Sequence, residues 1–169
     1  MDAIDDVVAW IASVPQDAWP MWVRHPEHKG NFRPSVNSDL EWQGFGEKTA
    51  KLVEQVLAGF IGCYAANRAI TVVLPGDYVP PHTDLQPPEW ITRIHVPLMT
   101  NDKAEFLLDG DWVHMKVGQI YHVDTEKPHA IRNNGNVPRV HFMFDVMSRF
   151  AGRTRLIHDD KRQQNHSGA

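Results

Sequence analysis

The chain has a single cysteine, Cys63, among 169 residues. One cysteine forms no internal disulfide, and it falls short of the two or more thiolates that a zinc-finger-type site needs. Any metal bound here is therefore held by nitrogen and oxygen. No apolar run approaches the roughly 20 residues that cross a bilayer as a helix. The start, Met1 to Asp6, is acidic, whereas a secretory signal starts basic and continues apolar. Cationic excess is missing too: 17 Lys+Arg against 21 Asp+Glu give a formal charge of −4. A general nucleic-acid binder is usually basic, so this balance favours no such partner. There is no internal repeat and no linker. These features predict one soluble cytoplasmic domain without a membrane partner, and they leave the oligomeric state open.

Histidine is the abundant exception. There are ten, and His82, His95, His114, His122, His129 and His141 fall within one stretch. Ahead of that stretch lie two helical patterns. Over residues 3–14, Ile4, Val7, Val8 and Ile11 mark one apolar face, with Asp2 as N-cap and Pro15 as the stop. Over 47–61, Val53, Val56, Leu57, Phe60 and Ile61 mark another, with Gly62 to end it. Between them, Gln16 to Gly46 reads as loop. From about residue 68 the period becomes two. Strands are expected at 69–74, 78–82, 91–98, 104–108, 112–116, 119–123, 128–133 and 138–146, divided by turn formers such as Pro75-Gly76-Asp77 and Asn133-Asn134-Gly135. This order predicts a mainly β fold: a double-sheet jelly roll over 68–147 with both helices packed outside. Residues 1–149 form the domain, and 150–169 read as a solvated tail with the composition of a disordered segment.

Two strands alternate in an informative way. Val140, Phe142, Phe144 and Val146 share one face, and Arg139, His141 and Asp145 the other. Ile94, Val96 and Leu98 likewise oppose Arg93 and His95. In a surface strand the polar face meets water. Alternatively, the helices cover the apolar face and the Arg/His face lines a cavity inside the roll. The second arrangement gives the helices a partner.

His82-Thr83-Asp84 sets an imidazole and a carboxylate two residues apart, on one side of an extended chain. His129 completes a two-His, one-carboxylate set from a distant strand. That donor set suits non-haem Fe(II) and leaves positions open for a co-substrate and O₂. Pro80-Pro81 and Pro128 stiffen the approaches. Arg139 faces inward in the second arrangement, and a buried arginine needs a partner. A dicarboxylate co-substrate supplies one.

His82-x-Asp84, His129 and Arg139, with Arg93-Ile94-His95-Val96-Pro97-Leu98 and the segment Gly118 to Asp145, resemble the Fe(II)/2-oxoglutarate-dependent dioxygenases. Within them the resemblance is to the aspartyl/asparaginyl β-hydroxylase-like cupin branch, near the bacterial proline hydroxylases. It spans about 68–147. It implies a double-stranded β-helix, Fe(II), 2-oxoglutarate and O₂, and hydroxylation of an amino acid or a peptidyl Asp/Asn-like side chain with release of succinate and CO₂. It also implies that Arg139 and Thr71 hold the distal carboxylate of 2-oxoglutarate, while Arg93 and His95 meet the nearer one. Animal aspartyl hydroxylases carry glycine at the acidic ligand position. Asp84 instead completes the triad, which favours hydroxylation over halogenation. Trp22 and Arg24 in the first loop, His141 on the inward face, and Asn133 after His129 are candidates for the substrate. The competing readings are a cupin enzyme that does not use 2-oxoglutarate, and a non-catalytic cupin-type binding protein.

Overall fold

The computed structural model describes residues 3–15 and 44–150. Helix α1 spans Ala3–Ser13 and buries Ala3, Ile4, Val7, Trp10 and Ile11. Helix α2 spans Phe45–Leu57 and buries Phe45, Thr49, Leu52, Val53 and Val56. Both stripes follow the 3.6-residue period. Helix α2 stops four residues short of the end expected from the pattern. Its last turn tightens through Gly59 N–H to Val56 O (3.2 Å) and Phe60 N–H to Leu57 O (2.8 Å). Gly62, at φ 73°, then redirects the chain. Ile61 is left fully exposed. No helix among the described residues is long and apolar enough to cross a membrane.

Eight strands follow: β1 Cys63–Val73, β2 Tyr78–His82, β3 Trp90–Met99, β4 Ala104–Leu108, β5 Asp111–Val113, β6 Tyr121–Val123, β7 His129–Asn133 and β8 Arg139–Ser148. They form two four-stranded antiparallel sheets, in the orders β1-β8-β3-β6 and β2-β7-β4-β5. This is the double-stranded β-helix expected. Strand β1 begins earlier than its alternation suggests. A bulge between Ala66 and Ala69 breaks the period, and Asn67 sits there at φ 49°. Pro80 and Pro81 are tolerated because β2 is an edge strand.

The sheet containing β8 is buried on both faces. Val140, Phe142, Phe144 and Val146, with Ile94, Val96, Leu98, Ile70 and Val72, pack in one cluster with α1 and α2. Phe45 meets Phe142 edge-on, with ring centroids 5.8 Å apart. Each such side chain contributes about 1.5–3 kcal/mol by burial. The helices thus take the apolar face. The opposite face carries Arg93, His95, Thr71, Arg139, His141 and Asp145, all buried. It looks across the roll at a second, smaller cluster that includes Val79, Phe106 and Ile131. The alternation of β3 and β8 therefore describes an inside that is polar and an outside that is apolar.

Candidate metal centre

His82 and His129 are direct partners across β2 and β7, so the ladder itself sets their rings 4.2 Å apart. Asp84 follows β2, and its backbone N–H donates to Thr125 O (2.8 Å). Gln86 Nε2 donates to Thr125 Oγ1 at 2.8 Å, so the loop is tied down on both sides of Leu85. One donor atom from each of His82, Asp84 and His129 lies within 4.8 Å of the others. His82 Nδ1 sits 2.8 Å from Pro80 O, and His129 Nδ1 sits 3.0 Å from Lys127 O. A carbonyl only accepts, so both Nδ1 atoms carry hydrogen and both Nε2 atoms keep a lone pair for a metal. Burial pulls the His129 pKa below the usual imidazole value. The bond to the Lys127 carbonyl opposes that shift, and the charge of His82 adds to it. The neutral form, which a metal needs, is thereby favoured. Phe106 stacks on the far side of His129, 5.8 Å away at 12°.

A pocket opens beside these three residues, lined among others by Thr71, Arg93, His95, Phe106 and Thr125. Below it, Thr71 and His141 face each other across β1 and β8, two residues from the Val73–Arg139 pair. All four therefore share the inner face. Arg139 is 2% exposed, and no carboxylate pairs with it among the described residues. Burial pushes its pKa down to about 9. Its Nη2 donates to His141 Nδ1 at 2.9 Å. The His141 pKa is held well below its usual value by burial first, then by the charges of Arg139, His95 and His114. A neutral His141 that accepts at Nδ1 carries its hydrogen on Nε2. Thr71 Oγ1, Arg139 Nη1 and His141 Nε2 are all buried without a hydrogen-bond partner. Each can donate, and an anion with several acceptor oxygens satisfies such a set.

Of the remaining candidates, Arg93 and His95 line the same pocket. Arg93 has other partners than the carboxylate expected of it. It forks onto Asp145, from Nε to Oδ1 at 2.7 Å and from Nη2 to Oδ2 at 3.0 Å, and donates from Nη1 to Asp84 Oδ2. Burial opposes its charge, but Asp145 and then Asp84 outweigh that and raise its pKa. His95 lies edge-on between Phe106 and His141, at 5.4 and 5.7 Å. Asn133 is corrected from substrate contact to loop tie. Its Nδ2 donates to Val73 O and Val137 O, both at 2.9 Å, while its Oδ1 accepts from Asn101 Nδ2 and Gly135 N–H. Fully buried and fully bonded, its amide has nothing left for a ligand. His141 supports Arg139 from within the wall. Trp22 and Arg24 lie outside the described residues. Sequence reasoning missed Asp145, Thr125 and Asn67. The one available signal was the charge of Asp145 at an inward position of β8.

Comparison with known proteins adds the family. A stretch of 66 residues is 35% identical to the L-proline cis-4-hydroxylase of Rhizobium meliloti (strain 1021), covering 38% of this chain and 24% of that protein. The match thus spans about a quarter of that relative's length. Among solved structures, a 2OG-Fe(II) oxygenase family oxidoreductase from Burkholderia pseudomallei is 15% identical with a TM-score of 0.47, covering 58% of this chain and 52% of that one. A predicted oxalate decarboxylase from Thermotoga maritima is 21% identical with a TM-score of 0.41, covering 56% and 73%. The family model for aspartyl/asparaginyl beta-hydroxylase matches residues 45–149, which take in α2 and all eight strands. The chain belongs to the aspartyl/asparaginyl β-hydroxylase family.

Proposed function

We propose that this protein is an Fe(II)- and 2-oxoglutarate-dependent hydroxylase acting on an amino acid or a peptidyl Asp/Asn-like side chain. The observation that carries the reading is the pairing of two sites. A two-His, one-Asp set stands next to buried donors that lack an acceptor, with Arg139 at their centre. The donor chemistry of the first fits Fe(II), whose facial triads leave open positions. The orphaned atoms of the second fit a carboxylate. Bound together there, Fe(II) and 2-oxoglutarate supply the oxidising power to hydroxylate an unactivated C–H bond, with O₂ consumed and succinate and CO₂ released.

The chain's own residues do the rest. His82, Asp84 and His129 present one side of a metal site and leave the other toward the pocket. Arg139, Thr71 and His141 would hold the distal carboxylate of 2-oxoglutarate, and the Arg139 guanidinium meets it with charge assistance. Phe106 and Ile131 keep that part of the pocket apolar, which strengthens the ion pair. A cupin enzyme that did not use 2-oxoglutarate would have no use for a buried cation at this position.

The test is anaerobic addition of Fe(II) and 2-oxoglutarate, read by the weak visible charge-transfer band of their complex. The wild type gives the band and His82→Ala does not. No band, or the same band in His82→Ala, refutes the assignment. Free amino acids and short peptides are then screened for stimulated succinate release. A response confined to peptides discards the free amino acid as substrate.

A further inference from the structure

We infer that Asp145 and Arg93 together pin Asp84, occupying one of its carboxylate oxygens so that it serves the metal through the other alone. The inference rests on the metal site proposed above. Asp145 is fully buried and receives four donors. Arg93 supplies two of them, at 2.7 and 3.0 Å. Asn67 Nδ2 reaches Oδ2 at 2.8 Å and Trp90 Nε1 reaches Oδ1 at 3.2 Å. A carboxylate held from four directions does not swing. The guanidinium opposite is planar and rigid, so two bonds to Asp145 fix its orientation. Its third bond, from Nη1, then goes to Asp84 Oδ2. The other oxygen, Oδ1, is the one on the His82 side, 4.0 Å from Nε2.

This arrangement bears on coordination number. A six-coordinate metal held by three protein atoms keeps three positions for ligands. A co-substrate bound there as a two-atom chelate would take two and leave one open. A carboxylate binding through both oxygens removes that third position. Arg93 prevents this by holding Oδ2. The bulge at Asn67 has a purpose in the same scheme, because it turns the Asn67 amide onto Asp145. Arg93 and Asp145 are positioning residues here: neither need touch substrate or metal.

Co(II), which binds such sites without turnover, is the probe. Its affinity is read by calorimetry and its coordination number by the intensity of its visible bands. The variant is the double Arg93→Gln/Asp145→Asn, which removes both buried charges at once and leaves neither orphaned. Co(II) affinity is expected to fall 10- to 100-fold, with a change in band intensity. The 2-oxoglutarate affinity, measured at saturating Co(II), stays within about threefold of wild type. Unchanged Co(II) affinity with a more than tenfold loss of 2-oxoglutarate affinity overturns the pin and gives Arg93 to the co-substrate. If the double variant does not fold, Trp90→Phe removes one donor from Asp145, and the same pattern is expected at a few-fold. Unchanged Co(II) affinity in Trp90→Phe then overturns the pin. Wild-type protein that takes up no Co(II) overturns the metal site itself, and the pin with it.

Discussion

Replacing Arg139 with methionine separates the cost of that residue from its use. Methionine keeps the unbranched stem and drops the charge. The fall of the Arg139 pKa to about 9 corresponds to a penalty on the order of 5 kcal/mol against the charged form. The sign follows from proton linkage. A base whose folded pKa is depressed makes the unfolded chain bind more protons between the two values. Stability therefore rises with pH only from about 9 upward, and at neutral pH the full penalty stands. Losing the Arg139–His141 bond offsets about 1 kcal/mol of the relief. Repacking around the new side chain offsets more. The ligand-free Arg139→Met protein is thus expected to be as stable as wild type or up to about 2 kcal/mol more so, a melting temperature raised by roughly 0–8 °C. The response to 2-oxoglutarate reverses the order. With Mn(II) present, 2-oxoglutarate at 100 times its dissociation constant stabilises wild type by about 2.7 kcal/mol and leaves Arg139→Met unmoved. Scanning calorimetry on both proteins, with and without 2-oxoglutarate, reads all four values. A variant that melts well below wild type yet still responds to 2-oxoglutarate would refute the reasoning, because Arg139 would then be an ordinary part of the core.

Other perturbations test the surroundings. Asn133→Ala should cost about 3 kcal/mol by cutting the ties to Val73 and Val137, lowering the melting temperature by roughly 6–12 °C. Its KM values measured well below that temperature should match wild type, and a raised KM would return Asn133 to the pocket. His141 has a folded pKa well below its unfolded one, so its contribution is complete at neutral pH and fades as pH falls below about 6.5. His141→Asn, which keeps an acceptor for Arg139, should flatten the acid limb of a urea-stability profile by about 1.4 kcal/mol per pH unit; an equal slope would show that His141 titrates normally. Phe142→Ala should cost about 3–5 kcal/mol while leaving the metal affinity unchanged, since Phe142 faces the helices; a lost metal affinity would show that the two faces of the sheet are coupled.

Much of the fold and of the site is legible in the sequence. The polar and apolar faces of β3 and β8 were legible because strand geometry sends alternate residues to opposite sides. Only the assignment of inside and outside needed the helices. The His82, Asp84 and His129 set was legible from residue type and spacing. What escaped depends on register. Nothing local announces that Arg93 lies opposite Asp145 on a strand 52 residues away, or that Asn67 reaches Asp145 through a bulge. Asn133 was misread because asparagine after a ligand looks like a pocket residue. Its neighbours Asn134-Gly135 were the better guide, since turn chemistry engages that amide from both sides.

Strand β8 sits between β1 and β3, and among the described strands it comes last in the chain. Before it arrives, β1 and β3 have no ladder between them, the helix stripes lack Val140, Phe142, Phe144 and Val146 beneath them, and the Arg139 and Asp145 ends of the inner wall do not exist. The site therefore cannot form progressively as the polypeptide is made. Its completion waits on a late, sequence-distant insertion, a topology that folds slowly and leaves β1 and β3 exposed to wrong partners in the interval.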